Sequence, residues 1–95
     1  MKHTLYTFTR ISNRGTLKEL EHFGREEYAE DALEKSVARK LDYLQECGWD
    51  INGEKVSVER RNGYDGHLLV VVNYGDSYDT FQITERTIEF ESYIV

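Results

Sequence analysis

The 95-residue sequence contains no proline, a single cysteine and no long apolar run. Without proline, turns fall to glycine, asparagine and aspartate. With Cys47 as the only thiol an internal disulfide cannot form, and we expect a reducing, cytoplasmic setting. The longest apolar stretch, Leu68 to Val72, is far short of the roughly 18 residues that a membrane span requires. Met1-Lys2-His3-Thr4 leads into alternating threonine and aromatic residues, which is not the apolar region of a secretory signal. There is no repeat, low-complexity tract or linker, so residues 1–95 read as a single domain.

A basic excess is missing as well. The net charge is −6, and residues 16–50 alone carry ten acids against five bases. That balance argues against direct binding of nucleic acid or an anionic membrane. One opposing pattern is a basic edge made of Arg10, Arg14 and the Arg60-Arg61 pair, with Tyr6 and Phe8 available to stack bases. Tyr6 and Phe8, however, share one strand face and suit a core.

What remains is ample for a small fold, since apolar residues make up 39% of the chain and aromatics 13%. Leu5 to Ile11 is β-branched and aromatic and predicts a strand. Ser12-Asn13-Arg14-Gly15 predicts a turn. Thr16 to Phe23 is ambiguous: Thr16 and Glu19 match a capping box, but the position after a turn favours a second hairpin arm. From Arg25 to Cys47, the residues Ala29, Leu33, Val37, Leu41 and Leu44 recur at helical spacing. Glu26, Glu27, Glu30 and Asp31 lie early, where the helix dipole favours anions. Gly48 can end the helix in a left-handed conformation, with Trp49 and Ile51 folding back over its last turn.

The second half reads as β structure. Val56 and Val58 alternate with polar residues, and Asn62 to Gly66 breaks the chain. Leu68 to Val72 is apolar on both parities, as in a central strand covered on both faces. Gly75 to Asp79 is expected to form a turn. Phe81 and Ile83 differ in parity from Ile88 and Phe90, which predicts a turn or bulge near Thr84-Glu85-Arg86. The expected architecture is α+β, a mainly antiparallel sheet with one long helix packed across it, in the order ββαβββ with the last strand open.

No motif in the chain carries chemistry. His3, His22 and His67 lack metal-ligand spacing, and Asp76-Ser77-Tyr78-Asp79 lacks the oxygen pattern of a calcium loop. We therefore expect no metal and no cofactor. Cys47 lies on the stripe side of the helix's last turn, where a buried thiol acts as a small hydrophobe. No serine stands in a nucleophile elbow, and Gly24 alone does not make a phosphate loop. We expect no catalytic residue.

The helix's outer face is more distinctive. Glu27, Asp31, Glu34 and Asp42 fall together opposite the apolar stripe, with Glu30 at the margin and Tyr28 beside them. Like-charge neighbours cost a few tenths of a kcal/mol per pair, and the dipole offsets this only in the first turn. Carboxylates held about 5–6 Å apart match the charge spacing of a nucleic-acid backbone and suit the basic groove of a protein that handles nucleic acid. In size, acidity and absence of motifs the chain resembles small phage-encoded inhibitors of host defence, such as anti-restriction and anti-CRISPR proteins. The resemblance implies a non-catalytic inhibitor with a protein partner.

Two other readings stand beside it. One is an assembly module that pairs through a sheet edge or through the turns holding Tyr64, Asp65, Asp76, Tyr78 and Asp79. The other is a small enzyme with a site of scattered residues. A deep polar pocket would favour the enzyme, and an uncovered strand edge the assembly module. The sequence does not fix the oligomeric state.

Overall fold

A computed structural model describes residues 2–63 and 65–89. The alternating stretch Lys2–Ser12 forms β1, and Leu17–Phe23 forms β2, so the ambiguous segment is a strand. The helical stripe becomes α1, Glu26–Glu46, followed by β3 (Val56–Asn62), β4 (Leu68–Tyr74) and β5 (Ser77–Glu89). The sheet order is β2-β1-β5-β4-β3 with every neighbouring pair antiparallel. The chain is thus an α+β domain in the order ββαβββ, with α1 on one face of the sheet.

Turn chemistry sets the hairpins. Between β1 and β2, Gly15 N donates to Ser12 O and Gly15 takes a φ of 79°. This is a three-residue loop whose last position needs a left-handed residue. Between β4 and β5 only Gly75 and Asp76 separate the paired Tyr74 and Ser77. Gly75 has a φ of 62°, and a Cβ there would meet Trp49 at 2.9 Å, so a side chain is excluded twice over. At the helix's end Trp49 N donates to Leu44 O and Gly48 N to Gln45 O, with Gly48 at φ 93°. That is a Schellman motif, and it aims Trp49 and Ile51 back onto the core.

The core lies between α1 and one sheet face. Ala29, Leu33, Val37 and Leu44 pack on Phe8, Val56, Val70, Val72, Phe81 and Ile83, with Leu41 partly buried beside them. Leu69 and Val71 have the opposite parity and point away from the helix. No described element covers that second face, so the expected covering layer there is not found, although Val71 is 8% exposed. Val71, whose cross-strand partners are Thr80 and Glu59, is sheltered within the sheet.

The expected break near Thr84-Glu85-Arg86 is also absent. β5 pairs with β1 in one unbroken register from Ser12↔Asp79 to Lys2↔Glu89. Ile88 pairs with His3 on the face opposite Ile83, so the parity change marks a switch of apolar face in a continuous strand. Phe90 lies outside the described residues.

Leu33 is fully buried at the centre of the helix contact. Leu33→Ala should cost about 2–5 kcal/mol, read as a lower denaturation midpoint. An unchanged midpoint would mean that the buried face of α1 is assigned wrongly.

Candidate binding surfaces

The acidic residues of α1 occupy its outer face as the helical spacing predicts. Glu27, Asp31, Glu34 and Asp42 are exposed, Glu30 is half-buried, and Tyr28 is 56% exposed. The face is less bare than its sequence implies, because three of its acids meet bases. Arg25 Nη1 lies 3.4 Å from Glu27, Lys35 Nζ 2.9 Å from Asp31, and Arg60 pairs with Glu34. Glu30 and Asp42 have no ion pair among the described residues. The Lys35 pair is readable at i,i+4, whereas Arg60 comes from β3, and only the folded sheet brings it there. Each of these exposed pairs contributes about 0–1 kcal/mol. Arg25 also sits 6.0 Å from the centre of the Tyr28 ring.

The secondary candidates are dispersed. Asp65 is exposed and accepts from the His67 backbone N–H at 3.4 Å, and Asp76 is exposed in the β4–β5 turn. Tyr78 is 43% exposed on the face away from the helix. Tyr64 lies outside the described residues. Asp79 is not in a solvated turn at all. The two-residue loop places it inside β5, opposite Val72 and facing the helix, where it is 3% exposed.

Around Asp79 the structure gathers a polar network that sequence reasoning missed. Lys40 Nζ lies 3.5 Å and Arg10 Nη1 3.8 Å from Asp79, and Tyr74 donates its hydroxyl to it at 3.1 Å. Next to it, Glu19 receives Arg39 Nη2 at 2.9 Å and the Ser36 hydroxyl, with Arg10 Nε 3.2 Å away. Lys40 Nζ also lies 4.3 Å from the centre of the Tyr74 ring, a cation–π distance. The signal was available: Ser36 and Lys40 fall on the apolar stripe of α1, and Asp79 shares parity with Phe81 and Ile83. Polar groups at core positions need partners there. The proposed basic edge, by contrast, is split, because Arg10 and Arg14 lie at the β1–β2 hairpin and Arg60 and Arg61 on β3 at the far edge.

His67 makes a second junction. Its ring, 10% exposed, bonds Glu26 of α1 through Nδ1 and Glu85 of β5 through Nε2 at 3.0 Å, with Tyr6 packed edge-on. Both ring nitrogens are therefore occupied by carboxylates, and neither is free to activate a nucleophile. Among the described residues no group of three or more His, Cys, Asp or Glu side chains is arranged to hold a metal ion. Cys47 is exposed, contrary to expectation. It is the helix C-cap and lies past the last turn that the sheet covers.

Comparison with protein-family models, with curated proteins and with solved structures gives no match. Function therefore has to be read from the surfaces themselves. Among the described residues no helix is long and apolar enough to cross a membrane.

The hydrogen bond to Glu85, with a further contribution from Glu26, raises the His67 pKa above its ordinary 6.5, against the opposing effect of burial. A raised pKa means that the folded state holds the proton more tightly than the unfolded chain does. The stabilisation is thus complete below the unfolded value and is lost as pH rises through the folded one. Thermal midpoints of the wild type should fall across that window, and those of His67→Gln should change less. Parallel curves for the two proteins would contradict the assignment.

Proposed function

We propose that the protein is a non-catalytic binding protein that meets a basic, nucleic-acid-handling protein through the outer face of α1. In its concrete form it is a small inhibitor of a host-defence complex. The observation that carries this reading is the exposure of Glu27, Asp31, Glu34 and Asp42 along one rigid helix, on the side the core does not use. The weak ion pairs of Glu27, Asp31 and Glu34 can be exchanged for a partner's lysines and arginines at little cost. Opposite charge on the partner would speed encounter more than it tightens the final complex. Tyr28, half in solvent beside the acids, supplies the amphipathic anchor that interfaces favour. The concave surfaces beside the helix are open rather than enclosed, which fits binding better than catalysis. A free, exposed Cys47 suits a reducing cytoplasm.

A second reading, assembly through a sheet edge, has one specific observation in its favour. Among the described residues β2 ends the sheet with an unpaired side, and its Leu17 and Leu20 are each 52% exposed.

The test begins by capturing the partner from a host lysate and then compares the wild type with a variant carrying Glu27→Gln, Asp31→Asn, Glu34→Gln and Asp42→Asn. The variant's stability should stay within about 1 kcal/mol of wild type, because only exposed pairs are lost. Its association with the partner should be markedly slower, and wild-type binding should weaken with added salt. Equal binding by both proteins at low salt would end the acidic-face reading. Self-association abolished by Leu17→Lys and Leu20→Lys would establish the assembly reading instead.

A further inference from the structure

On the flank of α1 that faces β2, the acidic chain turns basic. A cleft of about 730 Å³ opens between the second half of the helix, the β1–β2 hairpin and the start of β5. That size is within the range of small-molecule sites. Arg10, Arg14, Lys18, Arg39 and Lys40 line it against only two carboxylates, Glu19 and Asp79. The local excess is three positive charges in a protein whose net charge is −6.

The two carboxylates do not cancel this charge; they position it. Asp79 draws in Lys40 and Arg10, and Glu19 holds Arg10 and Arg39. The Arg10 and Lys40 side chains, 23% and 11% exposed, are fixed near the cleft floor, where reduced solvent screening strengthens their attraction for an anion. Arg10 Nε has no hydrogen-bond acceptor in line with it among the described residues. At the rim Arg14 and Lys18 have no ion pair among the described residues, and the hydroxyls of Ser12 and Ser77 add further donors. Two arginines forked from fixed anchors, with lysines around them, suit an oxyanion of more than one charge. A monocarboxylate would leave most of the excess unmatched. Tyr43, 58% exposed beside Lys40, offers a ring face to any planar group attached to that anion.

We infer that this cleft binds a phosphate-bearing small molecule, through Arg10, Arg14, Lys18, Arg39 and Lys40. The source is either free phosphate or a nucleotide, whose base would lie against Tyr43.

Calorimetric titration at physiological ionic strength separates the two, using inorganic phosphate, pyrophosphate and adenosine monophosphate, with adenosine and acetate as controls. Saturable binding of the phosphate compounds and none of the controls is expected. Adenosine monophosphate binding more tightly than phosphate would identify a nucleotide, and equal affinities would identify free phosphate. Arg14→Ala with Lys18→Ala should weaken binding on the order of tenfold and leave the thermal midpoint unchanged, because neither residue supports the fold. The inference is overturned if no phosphate compound binds, if the double variant binds as well as wild type, if adenosine matches its monophosphate, or if only an oligonucleotide binds.

Discussion

An α-helix is about 10–12 Å across and neighbouring strands lie about 4.8 Å apart, so one helix covers two or three strands. Here a single helix must serve five. α1 settles over β1 and β5 in the middle of the sheet, and the fully buried residues lie beneath it: Leu33 and Ala29 against Val70, Val72 and Phe81. Both flanks are left partly open. On the β3 side Val58 stays 39% exposed, and Arg60 reaches up to Glu34 where a wider layer would have placed an apolar contact. On the β2 side the gap is lined by Glu19, Arg10, Arg39 and Lys40. The polar surfaces described above are thus consequences of the shortage of helix.

Lining a gap with charge has its own energetics. Asp79 and Lys40 are nearly out of water, and the desolvation penalty of such groups can equal or exceed their attraction. A third contact helps, since Tyr74 both donates to Asp79 and presents its ring to Lys40. The network is best regarded as fixing geometry. It sets the helix's rotation over the sheet, because Ser36, Arg39 and Lys40 all reach partners on strands. Removing one partner would leave an unmatched buried charge, a loss of about 3–5 kcal/mol. The same rotation brings Glu26 over His67, so the helix is pinned near both ends by ion pairs and in the middle by apolar packing.

The parts of this fold that were legible in the sequence are those governed by local rules. The stripe from Ala29 to Leu44 and the stop at Gly48 define α1 to within one residue at each end. The Ser12–Gly15 turn places β2 even though Thr16 and Glu19 imitate a helix start. Inferences that needed the sheet's width or pairing were misread. The parity change before Ile88 looked like a bend, because a strand was assumed to keep one apolar face along its whole length. Beyond the reach of α1 that constraint lapses, and β5 runs on. Asp79 was assigned to a turn running from Gly75, yet a turn with Gly75 at positive φ needs only two residues. Cys47 shares the angular position of the stripe, but angle buries a side chain only where something lies opposite. The acidic face was visible and the pairing of its Glu34 with Arg60 was not, since pairing across 26 residues is a property of the fold.

Net charge, finally, is a poor guide to what such a molecule attracts. The sum of −6 averages an acidic crest and shoulder, which face solvent and β3, with a basic cleft that faces β2. Within a Debye length of about 8 Å an approaching group senses one of these and not the sum. The two adjoin along the β2 flank of the helix, where Asp31 shares a groove with Lys18, Lys35 and Arg39. Their shapes differ as much as their signs. The acids stand on a convex surface, which suits insertion into another protein's groove, whereas the bases line a concavity, which suits a small anion. A basic partner drawn to the crest would be repelled by Arg39 and Lys18 if it slid toward β2. The charge that makes the cleft would thereby also limit where such a partner could settle.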